Sequence, residues 1–196
     1  FPCFKTELEA GGDVVRFLLI AIVFTALVVL PVRADQNDVK LSDLFRQLQL
    51  ARELTQAQLI ERRIWDIWHR HSDPQVSKTM AVGVLSMRSG ALPKALAAFD
   101  KIVAIDPNFA EGWNKRATIY YMMGRYTASV NDIQRALYLE PRHFGALSGL
   151  GLIFDAIGKG DAALKVWKQA LAIHPNMPKI QSRMLDLKRQ LTEPPT

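Results

Sequence analysis

Three glycines and three prolines in this chain keep one interval. Gly90, Gly124 and Gly158 step by 34 residues, Pro107, Pro141 and Pro175 do the same, and each glycine precedes its proline by 17. Two residue types with different backbone chemistry sharing one period define a tandem array, because a spacing of about 20–50 residues marks stacked supersecondary units. The glycine suits the left-handed residue that ends a first helix. Pro93 and Asp161 then stand where a second helix begins, since proline is tolerated in a first turn and aspartate can cap one. The second helices run to Ile105, Leu139 and Ile173 and stop there, because the residue before a proline is pushed out of helical geometry. Each unit is a helix, a tight turn, an antiparallel helix and a proline stop, so the expected fold class is all-α.

The residues between these marks resemble the tetratricopeptide repeat family, whose pattern spaces Trp, Leu-Gly, Tyr, Ala, Phe and Pro over the same length. Unit 76–109 carries Val82-Gly83, Ala95, Phe99, Ile102 and Pro107, with Thr79 and Ser86 at the Trp and Tyr sites. Unit 110–143 carries Trp113, Ala117, Tyr120, Ala136 and Pro141 and departs from the pattern at Arg116, Ser129 and Ile133. Unit 144–177 carries Leu147, Leu150-Gly151, Phe154, Ala163, Trp167, Ala170 and Pro175. The resemblance covers about half of the chain. It implies a solenoid of antiparallel helix pairs wound into a right-handed superhelix with capping helices. Gly83, Ala117 and Gly151 would stand where the two helices of a unit cross, with Phe99 and Trp167 packed beside them.

Helical spacing continues on both sides of the array. Leu44, Leu48 and Ala51, then Leu59, Ile60, Ile64, Ile67 and Trp68, recur at helical intervals before Ser72-Asp73-Pro74. Residues 41–73 are expected to form a diverged helix pair that caps the N-terminal end. Residues 178–192 place Ile180, Met184, Leu187 and Leu191 on one face, the half-polar helix a solenoid needs at its other end.

Further upstream, Phe17–Leu30 is apolar but for Thr25, follows Arg16, and precedes Val32 and Ala34. These are the basic, apolar and small-residue parts of a secretory signal peptide. Fourteen residues make roughly 21 Å of helix, short of the ~30 Å hydrocarbon core of a bilayer. We expect residues 1–34 to be a leader cut between Ala34 and Asp35, with an uncleaved membrane anchor as the alternative. Glu7, Glu9 and Asp13 oppose a basic leader start, so translation is expected to begin at Val14 or Val15, which sets residues 1–14 apart. The expected location is periplasmic or secreted, or membrane-anchored if the leader stays. Membrane contact is expected through the leader alone.

Composition narrows the function. With 49% hydrophobic and 22% charged residues, the chain is neither disordered nor a polytopic membrane protein. Its one cysteine, Cys3, excludes a disulfide framework. The net charge of +6 survives removal of residues 1–34, which hold three bases and three acids. The bases are scattered, so a solvated surface is expected and nucleic acid is not a partner. His69 and His71 diverge on a helix, and His143 and His174 fall in turns, so structural roles are expected and no metal. Asp132 and Asp155 stand apart, and neither a nucleophile elbow nor a phosphate loop appears. No catalysis and no cofactor are expected.

The resemblance implies a concave groove lined by the first helices. Its residues here would be Met80, Val84, Met87, Asn114, Thr118, Tyr121, Ser148, Leu152 and Asp155, with Ser77, Glu111 and Gly145 opening the three rows. Some family members hold a C-terminal carboxylate with a basic-and-Asn clamp, which only Asn114 and Lys115 approach here. The expected function is an exported, non-catalytic scaffold that takes a peptide or helix of another envelope protein into this groove. A membrane-tethered scaffold and a non-catalytic subunit of an exported enzyme complex are the alternatives.

Overall fold

The computed structural model describes residues 36–192; the expected leader, residues 1–34, and the expected cut between Ala34 and Asp35 lie outside them. The described residues form nine α-helices and no strand: α1 Lys40–Leu50, α2 Leu54–Trp68, α3 Pro74–Arg88, α4 Leu92–Ile105, α5 Ala110–Met122, α6 Tyr126–Leu139, α7 Phe144–Ala156, α8 Gly160–Ile173 and α9 Pro178–Thr192. Helices α3–α4, α5–α6 and α7–α8 pack as successive pairs, and α9 follows on α8.

The periodic glycines act as helix stops. Gly90, Gly124 and Gly158 have φ of 74°, 71° and 73°, a conformation that costs a residue with a Cβ about 1–2 kcal/mol. Each is followed by an N–H that reaches back to close the turn: Ala91 to the Ser86 carbonyl (2.9 Å), Arg125 to Tyr120 (2.8 Å) and Lys159 to Phe154 (2.8 Å). At the other end of each pair, Asp106, Glu140 and His174 leave helical geometry before their prolines, with ψ of 93°, 93° and 89°.

Small residues set the crossings. A Cβ on Gly83 would lie 2.6 Å from the Phe99 ring, and one on Gly151 would overlap the Trp167 indole. Trp167 Nε1 donates to the Ser148 carbonyl (3.1 Å), so its polar edge is satisfied inside the core. In the middle unit Ser129 Oγ donates to the Ala117 carbonyl (2.7 Å). The departure at Arg116 is matched by a partner: its guanidinium makes two hydrogen bonds to the buried Asp132 (2.7 and 2.8 Å) and one to Asp100 (2.9 Å). Asp132, which stands apart in sequence, is therefore half of an ion pair.

The pair α1–α2 departs from expectation. It has a core of its own, and that core closes on Phe144, Ile173 and Met177 of the third unit. Helix α1 lies beside α8, and Gln49 Nε2 donates to the Ala172 carbonyl (3.2 Å). Asn176 Nδ2 donates to the Ala51 carbonyl (2.8 Å), and upstream Gln36 Nε2 to that of Asn108 (2.6 Å). The hairpin thus follows the proline turns instead of capping the first unit. The reason is apolar: Ile60, Ile64, Ile67 and Trp68 find matching surface at Phe144. Val82 and Leu85 on α3 stay 41% and 70% exposed.

Candidate functional site

Helix α2 forms one wall of the site and is fixed by aromatic contacts. Trp65 covers Gly145, where a Cβ would approach the indole to 2.6 Å. Its ring meets Phe144 edge-on (5.5 Å between centroids), and Trp68 stacks on His143 at 4.1 Å. These contacts seat α2 over the first turn of α7.

Below it lies a buried carboxylate. Glu111, on α5, is met by Lys115 Nζ at 2.9 Å, His69 Nε2 at 3.1 Å, His143 Nε2 at 2.9 Å and Asn114 Nδ2 at 2.8 Å. Burial pushes its pKa up, but the Lys115 charge, the bond from His143 and the close approach of His69 outweigh that and hold it well below the ordinary value of 4.5. His143 Nδ1 accepts the Ala146 N–H (3.2 Å), so Nε2 carries the proton donated to Glu111. His69 comes from the end of α2, so this node ties the hairpin to the solenoid.

The other histidines also face acids: His71 Nε2 is 2.8 Å from Asp106, and His174 Nε2 is 3.4 Å from Glu61. Among the described residues no cluster of His, Cys, Asp and Glu is arranged to hold a metal ion.

Between α2 and the solenoid run two adjoining cavities of about 410 and 590 Å³. The first is floored by Asn114, Thr118, Tyr121 and Ser148 and walled by Trp65. The second opens toward α9 and is lined by Leu54, Gln58, His174, Lys179, Ile180 and Arg183. Glu61, Ser148, Leu152 and Met177 line both, so the two make one cleft.

The structure therefore gathers five residues of the anticipated groove: Asn114, Thr118, Tyr121, Ser148 and Leu152. Met80 does not join them; it is buried against Val76, Phe99 and Phe109, with Val84 and Met87 packed on the same cluster. Asp155 faces Arg183 of α9 at 2.6 Å. Asn114 is bound to Glu111, which removes it from any carboxylate clamp. The sequence reading missed Trp65, Glu61, His174, Lys179 and Arg183. All five lie outside the first helices of the three units, the surface on which that reading looked.

Comparison with known proteins gives a consistent picture. A family model described as tetratricopeptide repeat matches residues 110–143. A TPR repeat-containing protein of Rhizobium etli is 36% identical over 136 residues, 69% of this chain and 67% of that one. Hsp70-Hsp90 organizing protein 3 of Arabidopsis thaliana is 27% identical over 100 residues, half of this chain and only 18% of its own length. Among solved structures, the first TPR domain of Spaghetti bound to an HSP90 peptide superposes with a TM-score of 0.59 at 20% identity. It covers 64% of this chain and 98% of that one. MamA superposes at 0.56 with 21% identity, over 70% of this chain and 78% of that one. At these identities the structural likeness establishes the fold.

Proposed function

From the chain's membership of the tetratricopeptide repeat family, we propose that it is a non-catalytic scaffold that takes a peptide or helix of a partner protein into the cleft between α2 and the first helices of the second and third units. One observation carries this reading: Thr118, Tyr121, Ser148 and Leu152, set a turn apart on two neighbouring helices, face one half-open cleft with Trp65 as its opposite wall. A cleft with apolar walls, here Trp65, Phe144, Leu152 and Met177, and a few convergent polar groups is the ordinary form of a recognition site. The Spaghetti domain, described as bound to an HSP90 peptide, supports a peptide as occupant.

Helix α2 supplies one wall of the cleft through Glu61 and Trp65, and the occupant proposed for it is one extended strand or one helix face. Export of the chain belongs to the same proposal and is supported by the apolar run Phe17–Leu30 with Val32 and Ala34 behind it. A mature N-terminus at Asp35 would distinguish a free exported scaffold from a tethered one.

The reading is tested by selecting phage-displayed dodecapeptides on the purified protein and measuring their affinity for variants. Thr118→Arg and Ser148→Arg should each weaken binding by about tenfold or more, whereas Tyr138→Arg, on the exposed side of α6, should leave it unchanged. Equal binding by all three variants would refute the cleft as the site.

A further inference from the structure

The stack of helix pairs is open at its first helix. Lys78, Val82 and Leu85 of α3 stand 34 residues before Gly112, Arg116 and Ile119 of α5, and 68 before Ala146, Leu150 and Ile153 of α7. In the later units these positions face the second helix of the unit before. Ile119 is buried with Phe99 and Ile102, and Ile153 with Ile133 and Ala136. A Cβ on Gly112 would meet the Ile102 side chain at 2.7 Å, and Arg116 reaches Asp100 of α4. Among the described residues no helix covers the same side of α3. Val82 and Leu85 are exposed there, whereas Ile119 and Ile153 are fully buried. The helix that precedes α3 in the chain, α2, docks on Phe144 of the third unit instead.

Apolar residues on the outer side of a terminal unit mark a joining surface, because each unit of such an array buries its core against a neighbour and a free end needs a polar face. Repeat register therefore says what shape of occupant fits: a helix laid on Val82 and Leu85 as α4 is laid on α5. Charge separates the possible occupants. Helix α3 holds Lys78 and Arg88 and no acid. The acids of residues 72–109 are engaged: Asp73 accepts the Gln75 N–H, Asp100 accepts from Arg116, and Asp106 faces His71. A second copy would bring the same two bases to an α3–α3 contact, and its α9 would bring four bases against one acid. Neither complements this face. A helix of another protein with an apolar stripe and an acid does, and Lys78, where α5 and α7 have the small Gly112 and Ala146, supplies the counter-charge.

We propose that the exposed side of α3 is a docking surface for an acidic amphipathic helix of a partner protein, which continues the stack in the place of a preceding second helix. Apolar residues of that helix, spaced i, i+3 or i+4 and i+7, pack on Val82 and Leu85, and an Asp or Glu pairs with Lys78. The surface is separate from the cleft beside α2, and the inference does not rest on the cleft reading.

The test selects helix-forming 20-residue peptides by display on the full chain and measures the affinity of the synthetic peptides for variants. One class of selected peptides should carry apolar residues at helical spacing with at least one acid. Leu85→Arg should weaken their binding by about tenfold or more, and Lys78→Glu by about threefold or more, whereas Lys78→Arg should bind as the wild type does. The same peptides should bind Thr118→Arg unchanged, which separates this surface from the cleft. Leu85 is exposed, so its replacement leaves the core intact, and an unchanged thermal midpoint for Leu85→Arg checks this. Failure to select any peptide sensitive to Leu85→Arg would overturn the proposal, and peptides lost on Thr118→Arg alone would do so while leaving the cleft standing. A sedimentation mass that rises with protein concentration in the wild type and not in Leu85→Arg would overturn it in favour of a second copy.

Discussion

Glu111 is the residue on which the interior polar network converges. A carboxylate with a lowered pKa contributes its full stabilisation above its unfolded value of 4.5 and loses it as pH falls through the folded one. Glu111→Gln should therefore remove about 2–4 kcal/mol at pH 7, since it strands the largely buried Lys115. It should also leave a shallower loss of stability below about pH 4.5, by the one proton Glu111 takes up. Urea unfolding at pH 7 and at pH 3.5 measures both; parallel acid limbs for wild type and variant would deny Glu111 this role.

At this scale the sequence was partly legible. Gly83 and Gly151 announced their crossings through the repeat pattern alone. Arg116 looked like a misfit because its partner, Asp132, lies on the facing helix and no rule of spacing joins the two. His69, read on a helix, and His143, read in a turn, showed no common partner because the carboxylate between them comes from a third element.

The elements themselves were the most legible level. Glycine and proline, acting through backbone geometry, mark where α3 to α8 stop whatever their neighbours are. The hairpin α1–α2 shows where such reasoning ends. Its helices follow from the spacing of Leu44, Leu48, Ile60 and Ile64, but its docking place depends on Phe144, Ile173 and Met177, which look like ordinary repeat residues in the sequence. The contact between Trp65 and Gly145 offers a selective way to disturb it. Gly145→Ala should force the indole aside at a cost of about 1–3 kcal/mol. Hydrogen exchange should then quicken in 40–68 while α3, α4 and α8 keep their protection. Uniform loss of protection would mean that the hairpin and the solenoid open as one unit.

For the molecule as a whole, the hairpin turns an open concave face into a cleft with two unlike ends. One end, near Thr118 and Tyr121, is polar and aromatic; the other, near α9, is apolar with a basic rim. Met80, expected to line the groove, is held by Phe99 and Phe109 within its own unit. Half of the +6 net charge, which reads as a diffuse surface in sequence, falls on α9, whose Lys179, Arg183, Lys188 and Arg189 stand against Asp186 alone.

Site-specific photo-crosslinking in intact cells tests the cleft most directly, with the reactive residue placed at Thr118, at Leu152, or at Tyr138, which is 77% exposed on α6. A partner joined at the first two positions and not at the third is the predicted result. Crosslinking at Tyr138 with none at Thr118 or Leu152 would contradict it.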